Sequence, residues 1–292
     1  MRESQASQTA EYMAFFRALE SARSPRKRLF EDRFAVHFLR PSLRKVVRLS
    51  RIPLFAAFAR WRSDHLLPGA RTSGIARTRF IDDAVLQSLR DGIRQIVILG
   101  AGFDSRAYRL HGIQSAAVFE VDHPATLEMK RKHLREVMAE PPRNVRYIAI
   151  DFNQQSLPHV LCDAGLDTRV PTLFLWEGVT NYLSAEAVDA VLRYVSTFPS
   201  RSRLIFTYVH RGALDGSALF EDAPDIVRNV AAIGEPWTFG LDPAEVPGYL
   251  HERGLELLRD AGAREYRKEC MGPAARRMRG YDFYHVAIAS VP

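Results

Sequence analysis

Hydrophobic positions along the 292-residue chain change their period once, near residue 80. Before that point they recur at helical spacing. Met13, Phe16 and Leu19 share one face of a helix expected over 10–22, and Arg26, Lys27 and Arg28 follow as a solvated turn. From Ser42 to Arg62, Leu43, Val46, Val47 and Leu54 alternate with Arg44, Lys45, Arg48 and Arg51, a helical stretch that Pro53 interrupts. A basic face beside an apolar one suits an anionic membrane surface, yet the reading preferred here is a basic helix packed on its own domain.

Beyond residue 80 strands and helices alternate. Ile81, Val85 and Leu89 form an i, i+4, i+8 stripe, Gly92 stops it, and 95–99 reads as a buried strand. A second strand is expected at 116–121, then a helix opened by Pro124 and continued by Leu127, Leu134 and Met138 up to Pro141-Pro142. Three more strands are expected at 145–150, 172–176 and 203–209, with Val188, Val191, Leu192 and Val195 marking the helix before the last. Five strands separated by helices predict an α/β fold with a doubly wound, mostly parallel sheet. Asp242-Pro243-Ala244-Glu245 resembles a helix start with a capping box, and 255–258 and 284–291 read as closing strands. With no internal repeat and no long linker, the pattern predicts a single domain.

Composition narrows the class. A chain that is 47% apolar and 26% charged is an ordinary globular protein, so disorder and collagen-like repeats are excluded. The net charge of +7 first suggests nucleic acid, membrane or acidic partners. Its distribution argues otherwise: residues 1–80 carry 17 Lys/Arg against 6 Asp/Glu, and the remainder carries 24 against 28. Cys162 and Cys270 match no metal-ligand spacing and would close at most one disulfide, which favours a reduced, cytoplasmic chain without a bound metal. MRESQASQTAEYM has no apolar core of signal-peptide length, and the longest apolar run, 52–59, is too short to span a bilayer. A soluble protein without stable membrane insertion is expected.

In a doubly wound sheet, ligands bind at the carboxyl ends of the strands, where strand order reverses. The motif there is Val97-Ile98-Leu99-Gly100-Ala101-Gly102-Phe103-Asp104-Ser105. Gly100 and Gly102 allow a tight turn and close ligand approach, whereas Ser105 replaces the third glycine of a dinucleotide fingerprint. Asp122, twenty residues on in Phe119-Glu120-Val121-Asp122, suits two ribose hydroxyls. Asp151 and Glu177 end two further strands, placed to accept from an exocyclic amine and to face a cationic ligand group.

Gly100-Ala101-Gly102-Phe103-Asp104-Ser105-Arg106, Phe119-Glu120-Val121-Asp122-His123-Pro124 and Trp176-Glu177-Gly178-Val179-Thr180-Asn181-Tyr182-Leu183 resemble the leucine carboxyl methyltransferase family. The likeness is greatest to its bacterial S-adenosyl-L-methionine-dependent branch, which includes polyketide carboxyl O-methyltransferases. It runs from Thr9-Ala10 through Arg17-Ala18-Leu19-Glu20 to Asp242-Pro243-Ala244-Glu245. The resemblance implies a class I methyltransferase core of Rossmann-like build, arranged as a helical N-terminal lid at 1–80, a cofactor-binding core at 81–210, an insertion at 211–250 and C-terminal strands at 251–292. It also implies that Gly100 and Gly102 line the methionine part of S-adenosyl-L-methionine, Asp122 its ribose, and Asp151 with Phe152 its adenine. Glu177 would sit near the methionine moiety, and Arg77 in Ala76-Arg77-Thr78-Arg79-Phe80 would pair with the cofactor carboxylate. Phe152 stands where the family commonly has Leu.

Methyl transfer from a sulfonium is an in-line displacement, so alignment and exclusion of water matter more than reactive groups. A carboxylate acceptor is already ionised near neutral pH and needs no base. A hydroxyl acceptor would need one, and His210 in Thr207-Tyr208-Val209-His210-Arg211 is the best-placed candidate, although a capping or hydrogen-bonding histidine is the preferred reading of that residue. Tyr182 and Trp237 are candidates for shaping the acceptor pocket. The leading expectation is O-methylation of a small, anionic molecule. Protein C-terminal carboxyl methylation, an NAD-dependent oxidoreductase, and a basic module for RNA or membrane remain the alternatives.

Overall fold

Seven strands, β1 (Gln95–Leu99), β2 (Ala117–Asp122), β3 (Val145–Ala149), β4 (Thr172–Trp176), β5 (Arg203–Val209), β6 (Glu256–Gly262) and β7 (Tyr284–Ser290), form one sheet. Their order is β3-β2-β1-β4-β5-β7-β6 in a computed structural model that describes residues 8–151, 155–220 and 223–292. β1 to β5 are parallel, and β7 runs antiparallel between β5 and β6. Both QIVIL of β1 and TLFLW of β4 are buried throughout, as near-continuous apolar strands covered on both faces should be.

The helices are α1 (Gln8–Ser21), α2 (Pro41–Leu49), α3 (Pro53–Leu66), α4 (Ala70–Arg90), α5 (Arg106–Arg109), α6 (Pro124–Leu134), α7 (Leu157–Asp163), α8 (Ala185–Ser196), α9 (Gly212–Asp215), α10 (Ala223–Ala232), α11 (Val246–His251) and α12 (Ala263–Met271). Successive residues of β1 alternate between two cores. Ile96 and Ile98 join Phe16, Phe34, Ile81 and Val85 from the N-terminal side, whereas Val97 and Leu99 join Trp176, Val188 and Leu192. Because β1 pairs with both β2 and β4, the strand order reverses between β1 and β4, the point at whose carboxyl ends doubly wound sheets bind their ligands. No helix among the described residues is long and apolar enough to cross a membrane.

Three local expectations change. Residues 242–245 do not begin a helix: Asp242 Oδ1 accepts the Ala244 N–H at 2.9 Å in a turn, and α11 starts at Val246, with Pro247 tolerated in its first turn. α4 begins eleven residues before Ile81, because Arg71, Thr72, Ser73 and Thr78 are buried although polar and give no apolar stripe. It therefore crosses residue 80 and ties the N-terminal helices to the sheet. Pro53 splits the basic stretch into α2 and α3, and α3 packs the opposite way to the expectation: Leu54, Phe58 and Trp61 face solvent, while Arg60, Ser63 and Asp64 lie on its more buried side. The bidentate pair from Arg71 Nε and Nη2 to Asp64, at 2.8 and 2.7 Å, holds it in that orientation.

Candidate functional site

The turn after β1 folds back over β2, since the N–H groups of Gly100 and Ala101 both donate to the Val121 carbonyl at 2.9 and 3.0 Å. Gly100 and Gly102 adopt φ values of +66° and +38°, which side chains disfavour. A Cβ on Gly100 would meet Val179 Cγ2 at 2.4 Å, so the loop after β4 presses on this glycine. Above Gly102 only the Gly100 carbonyl lies within 4 Å, at 3.8 Å. That side of the turn is open to a ligand. Asp122, the last residue of β2, accepts the Gly102 N–H through Oδ2 and the His123 N–H through Oδ1, each at 2.6 Å. Both oxygens keep a further lone pair, so the fixed carboxylate can still accept two hydroxyls.

Glu177 follows β4 directly, on the other side of the point where strand order reverses. Its Oε1 accepts from Arg77 Nε of α4 at 2.8 Å and its Oε2 from Arg106 Nη1 of α5 at 2.7 Å. Burial raises its pKa, but the Arg106 and Arg77 guanidinium groups outweigh that and hold it below the ordinary carboxylate value. Arg77 lies over the Tyr284 ring, 4.7 Å from its centroid, and its Nη1 and Nη2 donate to no group among the described residues. A guanidinium with two free donors beside a carboxylate suits an amino acid zwitterion.

Below this pair runs a buried lattice of charges. Arg106 donates through Nε to Asp82 Oδ1 at 2.7 Å and through Nη1 to Asp104 Oδ2 at 2.5 Å. Arg109 reaches both Asp82 oxygens at 2.6 and 2.8 Å. Asp32 accepts from Arg17 Nε at 2.9 Å and from Ser105 Oγ at 2.6 Å, and Arg17 Nη2 donates to the Phe103 carbonyl at 2.6 Å. Burial opposes ionisation of Asp104, yet Arg106 and Lys130 bring its pKa down to about 2. Lys130, wholly buried, bonds Glu120 Oε2 at 2.8 Å and the Ala101 carbonyl at 3.2 Å, so α6 also grips the glycine turn. These residues hold the shape of the turn rather than its open face.

The remaining candidates are spread along the rim. Asp151 is partly buried just past β3, with its N–H bonded to Gln155 Oε1 at 3.1 Å, and Phe152 lies outside the described residues. Tyr182 occupies the single turn Thr180–Tyr182 after β4, and burial pushes its phenol up to about 12, so it is a neutral donor at physiological pH. Asn181 beside it accepts from Tyr284 Oη at 3.3 Å, and Trp237 packs near Tyr284 with ring centroids 6.2 Å apart. Near it, the buried Asn181 Nδ2 and Tyr266 Oη are among the atoms with no hydrogen-bond partner among the described residues. His210 accepts the Gly212 N–H on Nδ1 at 3.0 Å, and burial lowers its pKa, so the neutral ring carries its proton on Nε2. A surface depression lined by Asp91, Ile93, Arg201, Arg203 and Ser290 lies at the opposite end of the sheet and shares none of these groups.

The sequence reading overlooked Asp32, Asp82, Arg17, Arg109 and Lys130. One signal was available: Thr78, Asp82, Val85 and Leu89 share a buried helical stripe on α4, and a carboxylate there demands a partner. The others come from segments with no local mark.

Taken together, the open glycine turn, the fixed acid at the end of β2 and the Arg77–Glu177 pair fit a nucleoside joined to an amino acid, the composition of S-adenosyl-L-methionine. Comparison with known proteins agrees in kind. A Parafrankia protein bearing the name S-adenosyl-L-methionine-dependent methyltransferase is 32% identical over 280 residues, covering 94% of this chain and 84% of that protein. A Mycolicibacterium gilvum protein with the same name is 36% identical over 186 residues, and there the chain spans only 60% of the relative's length. Among solved structures, a DUF574-family protein from Streptomyces avermitilis superposes with a TM-score of 0.62 at 17% identity, covering 99% of this chain and 98% of that one. A Thermobifida fusca protein carrying a methyltransferase name gives 0.56 at 16%, covering 94% of each. Both likenesses concern the fold, and they place the sheet among Rossmann-like class I methyltransferase folds. The leucine carboxyl methyltransferase profile matches residues 10–196, well over half of the sequence, and the chain belongs to that family.

Proposed function

We propose that the protein is an S-adenosyl-L-methionine-dependent O-methyltransferase whose acceptor is a carboxylate on a small molecule. When bound, the sulfonium cofactor supplies an electrophilic methyl group, which a carboxylate oxygen takes in one displacement without any proton transfer. Arg77 would hold the cofactor carboxylate through Nη1 and Nη2, Glu177 its ammonium group, and Asp122 the ribose hydroxyls. Asp151 remains the candidate for the adenine amine. The 1–80 segment is proposed as the lid and 211–250 as the insertion that shapes the acceptor side.

The observation that favours a carboxylate over a hydroxyl is the state of His210, the candidate base, and of Tyr182 at the acceptor side. Tyr182 is a phenol with a raised pKa, and the only ring nitrogen of His210 able to accept a proton is already bonded to Gly212. A hydroxyl acceptor would have no ready base in either residue. Asn181 Nδ2 and Tyr266 Oη supply unpaired donors near Tyr284, beside Arg77, suited to acceptor oxygens. Calorimetry should show saturable binding of S-adenosyl-L-homocysteine and none of NAD. With a methyl-labelled donor and candidate acids, alkaline treatment of the product should release the label as methanol, the mark of an ester. A base-stable product would overturn the carboxylate assignment, and NAD binding would overturn the enzyme class.

A further inference from the structure

α3 presents its bulkiest apolar residues to water. Leu54 is 85% exposed, Phe58 52%, Trp61 60% and Leu66 60%, and Leu49 and Ile52 extend this surface across the turn from α2. Interleaved with them, Lys45, Arg48, Arg51 and Arg62 are exposed and form no ion pair among the described residues. From residue 33 to residue 63 the sequence holds eight Lys/Arg and no Asp/Glu. Phe55 and Ala59 pack inward and the Asp64–Arg71 pair ties α3 to α4, so the exposed stripe is part of the fold.

We propose that α2 and α3 form a face that adsorbs to an anionic lipid bilayer, lying on it rather than crossing it. Aromatic and aliphatic residues would enter the headgroup region while the surrounding cations meet lipid phosphates, the arrangement of an interfacial amphipathic helix. Charge decides between occupants. A second copy packed symmetrically would set these cations against their own duplicates. Single-stranded RNA would use Phe58 and Trp61 for stacking but leave Leu49, Ile52, Leu54 and Leu66 without a role. An anionic bilayer engages both sets. The inference is independent of the methyl-transfer reading.

The test uses the full chain and vesicles of phosphatidylglycerol with phosphatidylcholine, set against phosphatidylcholine alone. Trp61 is the exposed one of three tryptophans, since Trp176 is 2% exposed and Trp237 is partly buried, so brominated acyl chains should quench its emission. Co-sedimentation with anionic vesicles is expected, with quenching that Trp61→Phe removes. Arg48→Glu, Arg51→Glu and Arg62→Glu together should weaken partitioning about a hundredfold, and Leu54→Ser with Phe58→Ser should abolish quenching. Every altered side chain is exposed, and circular dichroism with unchanged melting verifies the fold. Failure to bind anionic vesicles at low salt, equal binding to neutral ones, or full partitioning by the charge-reversed variant would overturn the proposal. So would tighter binding of polyuridine lost in the same variants, or a dimer that Leu54→Ser with Phe58→Ser dissolves.

Discussion

Beneath the glycine turn, Arg17, Arg77, Arg106 and Arg109 meet Asp32, Asp82, Asp104 and Glu177, and none of the eight side chains is more than 16% exposed. On α2, α3 and the turn between them, Lys45, Arg48, Arg51 and Arg62 stand in solvent and pair with no carboxylate among the described residues. The desolvation of a buried ion costs several kcal/mol, which only a matched partner offsets, so every charge in the first region constrains the position of another. The second region bears no such constraint, and its charges contribute little to stability. Arginine content alone therefore says little about partners; what matters is whether the fold has already used the charge.

The strongest way to break this contrast is to remove the hub of the buried set. Arg106→Met leaves Asp82, Asp104 and Glu177 short of a cation and should cost about 3–5 kcal/mol in denaturant unfolding. A loss below about 1 kcal/mol would show that the lattice is not tightly coupled. Next comes the pair facing the ligand. Arg77→Lys keeps the charge but loses the planar fork that presents two donors to a carboxylate, and should weaken S-adenosyl-L-homocysteine binding roughly tenfold to a hundredfold by calorimetry. Unchanged affinity would remove Arg77 from the carboxylate role.

Acid should expose the same lattice. Asp104 has a folded pKa of about 2 against an ordinary 3.8, so its contribution is present above pH 4 and is lost as pH falls from about 4 to 2. That amounts to about 2 kcal/mol. Asp32 and Glu177, also lowered, act in the same direction, whereas Glu120, raised by burial, acts against them. Unfolding free energies measured from pH 6 to 3 should fall, and Asp104→Asn should flatten the slope. Asp122→Ala is expected to be milder, weakening cofactor binding about tenfold while leaving the turn anchored by the two N–H bonds to Val121.

The two regions also differ in how much of them the sequence disclosed. β1, β4 and β5 match the expected 95–99, 172–176 and 203–209 to the residue, because each is a short, mainly apolar segment bounded by polar, proline or glycine neighbours. Gly100, Asp122 and Glu177 were legible for the same reason: a strand end is a local feature. The buried lattice was not, since Arg17 meets Asp32 and Asp82 meets Arg109 only after distant segments pack. α3 was visible as a helix but not in its orientation, which rests on contacts with distant segments: the Asp64–Arg71 pair and the inward packing of Phe55 and Ala59.

That orientation supports the smallest expected effect. If the α3 stripe stabilised the folded chain, replacing it would cost what burying such residues gains; exposed as it is, Phe58→Ser with Trp61→Gln should change unfolding free energy by no more than about 0.5 kcal/mol per site. Phe58, Trp61 and His65 do touch one another, with centroids 5.9 and 5.5 Å apart, so a small loss from ring contacts is expected. Asp64→Asn is the informative counterpart, because it weakens the pair that turns the stripe outward. If α3 then rolled its apolar face inward, Trp61 emission would shift to the blue without lipid. An unshifted spectrum with normal stability would instead show that Phe55 and Ala59 suffice to hold the helix as it lies.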